Sequence, residues 1–435
     1  MRSLQPPPKK KLDIFLQIKH YVPMINKNYK IVVINIGNEL LNGRTTNTNL
    51  TTIGEKLLYL STQITEAYII SDDHETIVNT LKRVWQKNTI VIITGGLGPT
   101  NDDITKTALA SFFEKEMVFH EIILEDIKNH FNKRNIDMPE INNIQAMIPD
   151  GFLPLRNFVG TAPGMYYKNA NRHLFSLPGV PYEMEHLFDF YVTNMLQRII
   201  PKDDFTIFEI NTHGISESLL AEKLADLDLD ENVNIAWLPH LGRVDIRLYG
   251  TNINGIAKAS GNIHINLKDY IWGVNQKSPT EALHSDLLKY KKIRTLSVAE
   301  SCTGGGFSSF LTSLPGASKY FLGAIVSYSN DAKQDLLSVT PDVLRKYGSV
   351  SQEVVCQMIE GCEKRFNSDI VCAITGIAGP DGGSKTKPVG TVFIAVKYKK
   401  MINVEKYHFT GSRNQIQQRA IDSCAFMILQ ILNKI

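Results

Sequence analysis

The sequence predicts an α/β protein: two three-layer α/β domains joined by a small α+β module. Three observations carry this. Continuous apolar runs such as Lys30–Ile36, Thr89–Thr94 and Ile370–Thr375 suit strands buried on both faces. Helical stripes alternate with them in βαβα order, which predicts a parallel sheet covered by helices. Between the two α/β stretches, strand-like segments turn back around Leu241-Gly242-Arg243. At ~150 residues per domain, the 435 residues suggest roughly three domains.

The expected boundaries are a leader at 1–28, a first domain at 29–200, the module at 201–278 and a last domain at 279–435. In the first domain Lys30–Ile36 is a strand, Asn49–Leu60 a helix and Thr65–Ile70 a strand. Asp73–Trp85 places Ile77, Val78, Leu81, Val84 and Trp85 on one helical stripe. The strand Thr89–Thr94 runs into a glycine-rich loop and a helix from about Asp103. Two short strands within Gly164–Leu177 flank Asn169-Ala170-Asn171, a hairpin signal, and a helix from Pro181 to about Arg198 closes the domain. In the module, Phe205–Asn211, Asn234–Trp237 and Val244–Tyr249 are strands, with helices at Glu217–Ala225 and Ile253–Tyr270, a βαββα order. The last domain returns to α/β. It has a helix at Thr280–Lys289, strands at Thr295–Ala299, Gly323–Tyr328, Ile370–Thr375, Gly390–Tyr398 and Val404–Phe409, and a terminal helix from about Asn414.

Composition narrows the function classes. The chain is 43% hydrophobic and 21% charged, an ordinary globular balance. No apolar run approaches the ~20 residues of a membrane span. A formal net charge of +3 is too weak to argue for nucleic acid. The surplus sits in residues 1–23 of the leader, where Arg2, Lys9, Lys10, Lys11 and Lys19 oppose Asp13 beside Pro6-Pro7-Pro8. The leader lacks the unbroken apolar core of a secretory signal. The expectation is that Met24 is the true start and that the leader is disordered or not native. Five cysteines, without a Cys-x-x-Cys pair, suit a reducing cytoplasm rather than a disulfide scaffold.

Four motifs carry chemistry. The run from Thr94 through Gly95, Gly96, Gly98, Asp102 and Asp103 to Thr105 follows a buried strand and precedes a helix. Glycines there let backbone N–H groups approach an anion, although the spacing is neither Gly-x-Gly-x-x-Gly nor a P-loop. Asp102 and Asp103 read either as helix caps or as two carboxylates holding a divalent metal against a pyrophosphate. Glu39, in Gly37-Asn38-Glu39-Leu40-Leu41, would complete a metal or ribose site, and Asn47 reads as a helix cap beside Asn49. The third motif is Glu300-Ser301-Cys302-Thr303-Gly304-Gly305. Ser301 there is a cap or a nucleophile whose oxyanion meets the following N–H groups. A nucleophilic serine needs a base. Lys333, in Tyr328-Ser329-Asn330-Asp331-Ala332-Lys333, is either that base, with a pKa lowered by desolvation, or a solvated helix residue. Cys302 is a rival nucleophile or a buried small hydrophobe. The fourth motif, Thr375-Gly376-Ile377-Ala378-Gly379-Pro380-Asp381-Gly382-Gly383, reads as a stiffened loop able to cradle a phosphate.

From about residue 29 to 435 the chain resembles the CinA family, the competence/damage-inducible proteins of bacteria. Its first segment is similar to the MoaB/MogA-like molybdopterin-binding domain, through the first two motifs, Gly160-Thr161-Ala162-Pro163-Gly164 and Leu177-Pro178-Gly179-Val180-Pro181. There Asp103 matches the functional carboxylate. The resemblance implies a site of Glu39, Asn49, Gly95, Gly96, Gly98, Asp102 and Asp103, with the two aspartates on a metal. The middle resembles the family's KH-like linker through Gly214-Ile215-Ser216-Glu217-Ser218. It lacks the Gly-x-x-Gly clamp of RNA-binding KH modules, so RNA is not an expected partner. The last segment is similar to the nicotinamide-nucleotide amidase domain.

That last likeness implies hydrolysis of the carboxamide of nicotinamide mononucleotide to nicotinate mononucleotide and ammonia, with no cofactor. Carried over, Ser301 is the nucleophile, Lys333 the general base and Tyr328 an assisting group. Thr303, Gly304, Gly305, Asn330, Thr375, Gly376, Gly379 and Arg413 would bind substrate. Family members often have two arginines near the start of the last helix. Here Arg413 fits the first, Gln417 stands at the second, and Arg419 would substitute from the next turn. For the first domain the resemblance implies metal-dependent cleavage of ADP-ribose. The competing expectation is a non-enzymatic pterin- or nucleotide-binding partner in competence or DNA uptake. A homodimer is the default assembly.

Overall fold

The structure is a computed structural model that describes residues 29–200, 205–289 and 294–433. The leader and Met24 lie outside the described residues. The chain divides into two compact units, one ending at Phe205 and one beginning at Thr206, and each is described by itself.

The first unit runs β1 (Lys30–Ile36), α1 (Thr48–Tyr59), β2 (Glu66–Ile70), α2 (His74–Val84), β3 (Thr89–Thr94), α3 (Thr105–Phe113), β4 (Met117–Phe119), α4 (Glu121–Asn132), β5 (Met147–Pro149), β6 (Leu153–Leu155), β7 (Gly164–Asn169), β8 (Arg172–Leu177), α5 (Pro181–Leu187) and α6 (Thr193–Ile199). A π-helical turn, Phe188–Val192, joins α5 to α6. The main sheet has the order β2-β1-β3-β8-β7-β6. Strands β1, β2, β3 and β8 are parallel, whereas β7 runs antiparallel to both of its neighbours, β8 and β6. The sheet is therefore mixed, which corrects the parallel expectation. The β7–β8 hairpin is the cause, because a two-residue connection can join only antiparallel strands. Alternate residues of β1 feed two cores, Val32 and Ile34 on one face and Ile31 and Val33 on the other. That alternation produces the three layers. Asn47 caps α1 by accepting the Leu50 N–H at 3.1 Å, and Asp73 caps α2 by accepting the Thr76 N–H at 2.8 Å.

The second unit opens with β9 (Thr206–Thr212), α7 (Glu217–Lys223), β10 (Val233–His240), β11 (Arg243–Gly250), α8 (Ile253–Leu267) and β12 (Ile271–Val274). These strands form an antiparallel sheet in the order β10-β11-β9-β12. The expected βαββα order thus gains a final strand. It continues with α9 (Pro279–Lys289), β13 (Leu296–Glu300), α10 (Gly306–Thr312), β14 (Phe321–Val326), α11 (Asn330–Leu337), α12 (Pro341–Tyr347), α13 (Gln352–Phe366), β15 (Ile370–Gly376), β16 (Thr391–Tyr398), β17 (Met401–His408) and α14 (Arg413–Leu432). The sheet order is β14-β13-β15-β16-β17. Its β14, β13 and β15 strands are parallel, and β16 runs antiparallel to both of its neighbours, β15 and β17, so this sheet too is mixed.

Helices α9, α10 and α14 cover one face of that sheet, with Leu283, Phe307 and Ile428 in the core; α11 and α13 cover the other with Leu337 and Met358. Trp272 of β12 is buried in the first of these cores. Its indole N–H donates to the Thr212 carbonyl at 3.1 Å. His213 bonds the Ser423 hydroxyl of α14 through Nε2 at 2.9 Å and packs on Phe426. These contacts bind the small module to the last domain as one unit rather than leaving it a free linker.

Candidate active site

Register brings the two glycine motifs of the second unit together. Glu300 of β13 pairs with Ile374 of β15, so both strands end at the same level. The Ser301 N–H then donates to the Ile374 carbonyl at 2.9 Å. Open α/β sheets bind ligands at such strand ends, and here a cleft of about 280 Å³ opens between the two loops.

Ser301 is 7% exposed and does not cap a helix: α10 starts at Gly306, with Gly305 at its cap. Its Oγ instead lies 2.9 Å from Lys333 Nζ. Lys333 is only 1% exposed, so the solvated reading fails. Burial pulls its pKa down to about 8. Its amine also donates to the Ser327 carbonyl at 2.7 Å and reaches the Tyr328 carbonyl at 3.4 Å. A neutral amine has two N–H bonds and one lone pair. Two carbonyls take the hydrogens, and the lone pair is left for the Ser301 hydroxyl. Cys302 sits beside Ser301, but burial pushes its thiol up to about 12. A protonated thiol is a poor nucleophile.

The turn after Ser301 is closely tied. Glu300 is fully buried, and its carboxylate accepts the N–H groups of Gly305 at 3.0 Å, Phe307 at 3.2 Å and Ser308 at 2.9 Å, together with the Ser308 hydroxyl. The Gly304 N–H donates to the Ser301 carbonyl and the Gly306 N–H to the Thr303 carbonyl, both at 3.0 Å. Only the N–H groups of Cys302 and Thr303 in this turn lack a partner among the described residues. Gly304 and Gly305 were expected to bind substrate; their N–H groups are consumed inside the turn, which corrects that role. Gly305 has φ +94°, which explains a glycine there. Thr303 is buried with an unpartnered hydroxyl, and its side chain is not on the cleft wall.

Of the other expected residues, Tyr328, Thr375, Gly376, Gly379 and Arg413 line the cleft. The Thr375 hydroxyl donates to the Ser349 carbonyl at 2.8 Å. Gly376 has no room for a side chain: a Cβ would sit 3.0 Å from Cys302 Sγ. Arg413 donates to the Gly379 carbonyl at 2.7 Å and to the Tyr328 hydroxyl. Asn330 lies outside the cleft, exposed in the first turn of α11. Arg419 also fails to reach it. It lies six residues past Arg413, on another face of α14, and packs on Gly242. Gln417 does not line the cleft; its Nε2 donates to the Cys302 carbonyl at 2.7 Å. The reading from sequence gave no site role to Glu300, Ser349 or Asp381. Glu300 was visible in its motif, but its function depends on knowing that α10 begins at Gly306.

In the first unit, a cleft of about 380 Å³ gathers Glu39, Gly95, Gly96, Gly98, Asp102 and Asp103. Gly95 has φ +103°, and a Cβ there would meet the Ile36 carbonyl at 2.3 Å. Neither aspartate caps α3, whose cap position is Ile104. Thr100 holds both: its hydroxyl donates to Asp102 and, at 2.6 Å, to Asp103, whose Oδ2 also accepts the Thr100 N–H at 3.0 Å. The Thr100 hydroxyl lowers the Asp102 pKa, which favours its anionic form. Asn49 is not in the cleft. It is buried and donates to the Gly179 carbonyl at 2.8 Å, bracing the wall from behind. Glu183, which the sequence did not single out, lines the cleft, and burial raises its carboxyl pKa. Among the described residues, no three acidic, His or Cys side chains converge as a metal cage. No helix of the described residues is long and apolar enough to cross a membrane.

Comparison with known proteins matches three family models in chain order. They are described as "Probable molybdopterin binding domain" over 32–198, "Damage-inducible protein CinA KH domain" over 209–273 and "CinA C-terminal domain" over 277–432. A CinA-like protein of Flavobacterium psychrophilum is 36% identical over 93% of this chain and 99% of its own length. A CinA-like protein of Thermotoga maritima is 36% identical over 93% of this chain and 98% of its own. Among solved structures, the competence/damage inducible protein CihA from Agrobacterium tumefaciens is 34% identical, covering 36% of this chain and 97% of that one, with a TM-score of 0.34.

Proposed function

Since the chain belongs to the CinA family of competence/damage-inducible proteins, we propose that its last domain is an amidase acting on nicotinamide mononucleotide. The observation that supports this most is the buried Lys333 amine 2.9 Å from the Ser301 hydroxyl at the mouth of a glycine-lined cleft. Ser301 Oγ attacks the carboxamide carbon, and neutral Lys333 takes the hydroxyl proton. The Cys302 and Thr303 N–H groups receive the oxyanion. Lys333 returns the proton to the leaving nitrogen, ammonia departs, and an acyl ester remains on Ser301. Water then adds by the same route in reverse and releases nicotinate mononucleotide. The pyridinium charge favours attack by withdrawing electrons from the carboxamide. Arg413 and the Gly376–Gly383 loop hold the phosphate.

For the first domain we propose hydrolysis of the pyrophosphate of ADP-ribose. Asp102 and Asp103 would hold a divalent cation, which suits two carboxylates sharing an ion with substrate phosphates rather than a closed cage. That ion would neutralise phosphate charge and activate water. The glycine loop at Gly95, Gly96 and Gly98 would receive the pyrophosphate oxygens through backbone N–H groups.

One experiment tests both. Ammonia release from nicotinamide mononucleotide and cleavage of ADP-ribose are measured on the whole protein, with and without EDTA. Ser301→Ala removes the first reaction only, Asp103→Ala removes the second only, and EDTA stops only the second. Loss of both reactions on chelation overturns the metal-free amidase scheme.

A further inference from the structure

Helix α14 reaches the nucleophile turn through a hydrogen bond from Gln417. Arg413 and Gln417 are four residues apart, on one face of the helix. Arg413 lines the cleft, yet Gln417 does not; it turns under the nucleophile turn and donates to the Cys302 carbonyl. In a trans peptide the carbonyl of one residue and the N–H of the next point in opposite directions. Anchoring the Cys302 carbonyl to α14 therefore fixes the direction of the Thr303 N–H. The rest of the turn is held by Glu300 and by its own backbone bonds. The Cys302–Thr303 peptide itself makes no other hydrogen bond among the described residues.

We propose that Gln417 is a positioning residue for the amidase: it orients the Cys302–Thr303 peptide so that its N–H meets the developing oxyanion. This rests on the amidase reading above. It also gives a different account of the position where a second arginine was expected. Gln417 does not bind the substrate anion, which is left to Arg413 and the glycine loop. Its effect is on the chemical step, because an oxyanion donor acts most strongly where charge develops.

The test compares wild type, Gln417→Met, Gln417→Glu and Gln417→Arg in the full chain. Two readouts are used: kcat and KM for ammonia release from nicotinamide mononucleotide, and the rate at which a fluorophosphonate labels Ser301. Phosphonylation also places negative charge on an oxygen in the same hole. Losing one oxyanion donor costs about 10²–10³ in kcat, so mispositioning one predicts a fall of about 10- to 100-fold. That fall is expected in Gln417→Met, with KM within about twofold and a parallel fall in labelling. Gln417→Glu keeps the size but cannot donate once ionised, and it behaves the same if the methionine variant fails to fold. Gln417→Arg restores a donor and recovers most of kcat. A raised KM with unchanged kcat makes Gln417 a substrate contact and overturns the proposal, as does an unchanged labelling rate. A wild type that releases no ammonia overturns the amidase reading instead, and the labelling rates then decide the role of Gln417 alone.

Discussion

Lys333 is the residue on which the proposed amidase chemistry depends, and its burial sets two opposite effects. A lysine with a pKa near 8 rather than the ordinary 10.5 is neutral in a useful fraction at physiological pH. The predicted pH profile follows: kcat/KM rises about tenfold per pH unit below pH 8 and levels off above it. The stability effect has the same origin. The folded state disfavours the charged amine, so folding is penalised in full below about pH 8, and the penalty fades toward pH 10.5. Lys333→Met is accordingly inactive, but its Tm relative to wild type rises as pH is lowered from 10 to 7. A profile controlled by a group titrating near 6, or a Tm difference flat with pH, removes Lys333 from the base role.

At the scale of elements, the turn joining β13 to α10 shows how a carboxylate can serve architecture beside a nucleophile. Glu300 satisfies three N–H groups at the start of α10, where four such donors are ordinarily orphaned. Glu300→Ala leaves them buried and unpaired, a loss of about 3 kcal/mol or more in urea denaturation. Glu300→Gln, which keeps an acceptor oxygen, loses less. Equal losses in the two variants would show that the carboxylate does not hold the turn.

The elements most legible in sequence were those with one environment throughout. Strands β1 and β3 matched residue for residue, because a run that is apolar on both faces has no competing pattern. Strand β17 was expected from Val404 but starts at Met401, since it is largely exposed and its residues carry little burial signal. Strand β12 was missed because the helical reading extended to Tyr270, leaving four residues that only their pairing with β9 identifies. The same divide runs through the site. The meeting of Ser301 with Lys333 was legible, because each lies just past the end of a strand, β13 or β14. The roles of Glu300, Gln417, Asn49 and Arg419 were not, because each depends on which backbone group or helix face it meets.

For the whole molecule, the near-neutral charge outside the leader supplies no strong overall field, so the anionic substrates proposed above would be held by local devices in each cleft. In the second unit these are Arg413, the glycine-loop N–H groups and the unpaired N–H groups after Ser301. Helix α14 links them to the rest of that unit. Its first turns carry Arg413 and Gln417, and three turns from Arg413 Ser423 meets His213 of the small module. Burial holds His213 well below its ordinary pKa, at about 4, so this contact is made by a neutral ring. The module thus braces the helix that shapes the cleft.

In the proposed mechanism Ser301, and not its neighbour Cys302, becomes acylated. Mass spectrometry of peptides from the whole protein, acid-quenched during turnover of nicotinamide mononucleotide, tests this directly. The expected result is a nicotinate mononucleotide acyl group on Ser301, retained in Cys302→Ala and absent in Ser301→Ala, which releases no ammonia. An adduct on Cys302, or ammonia release that survives in Ser301→Ala, would contradict it.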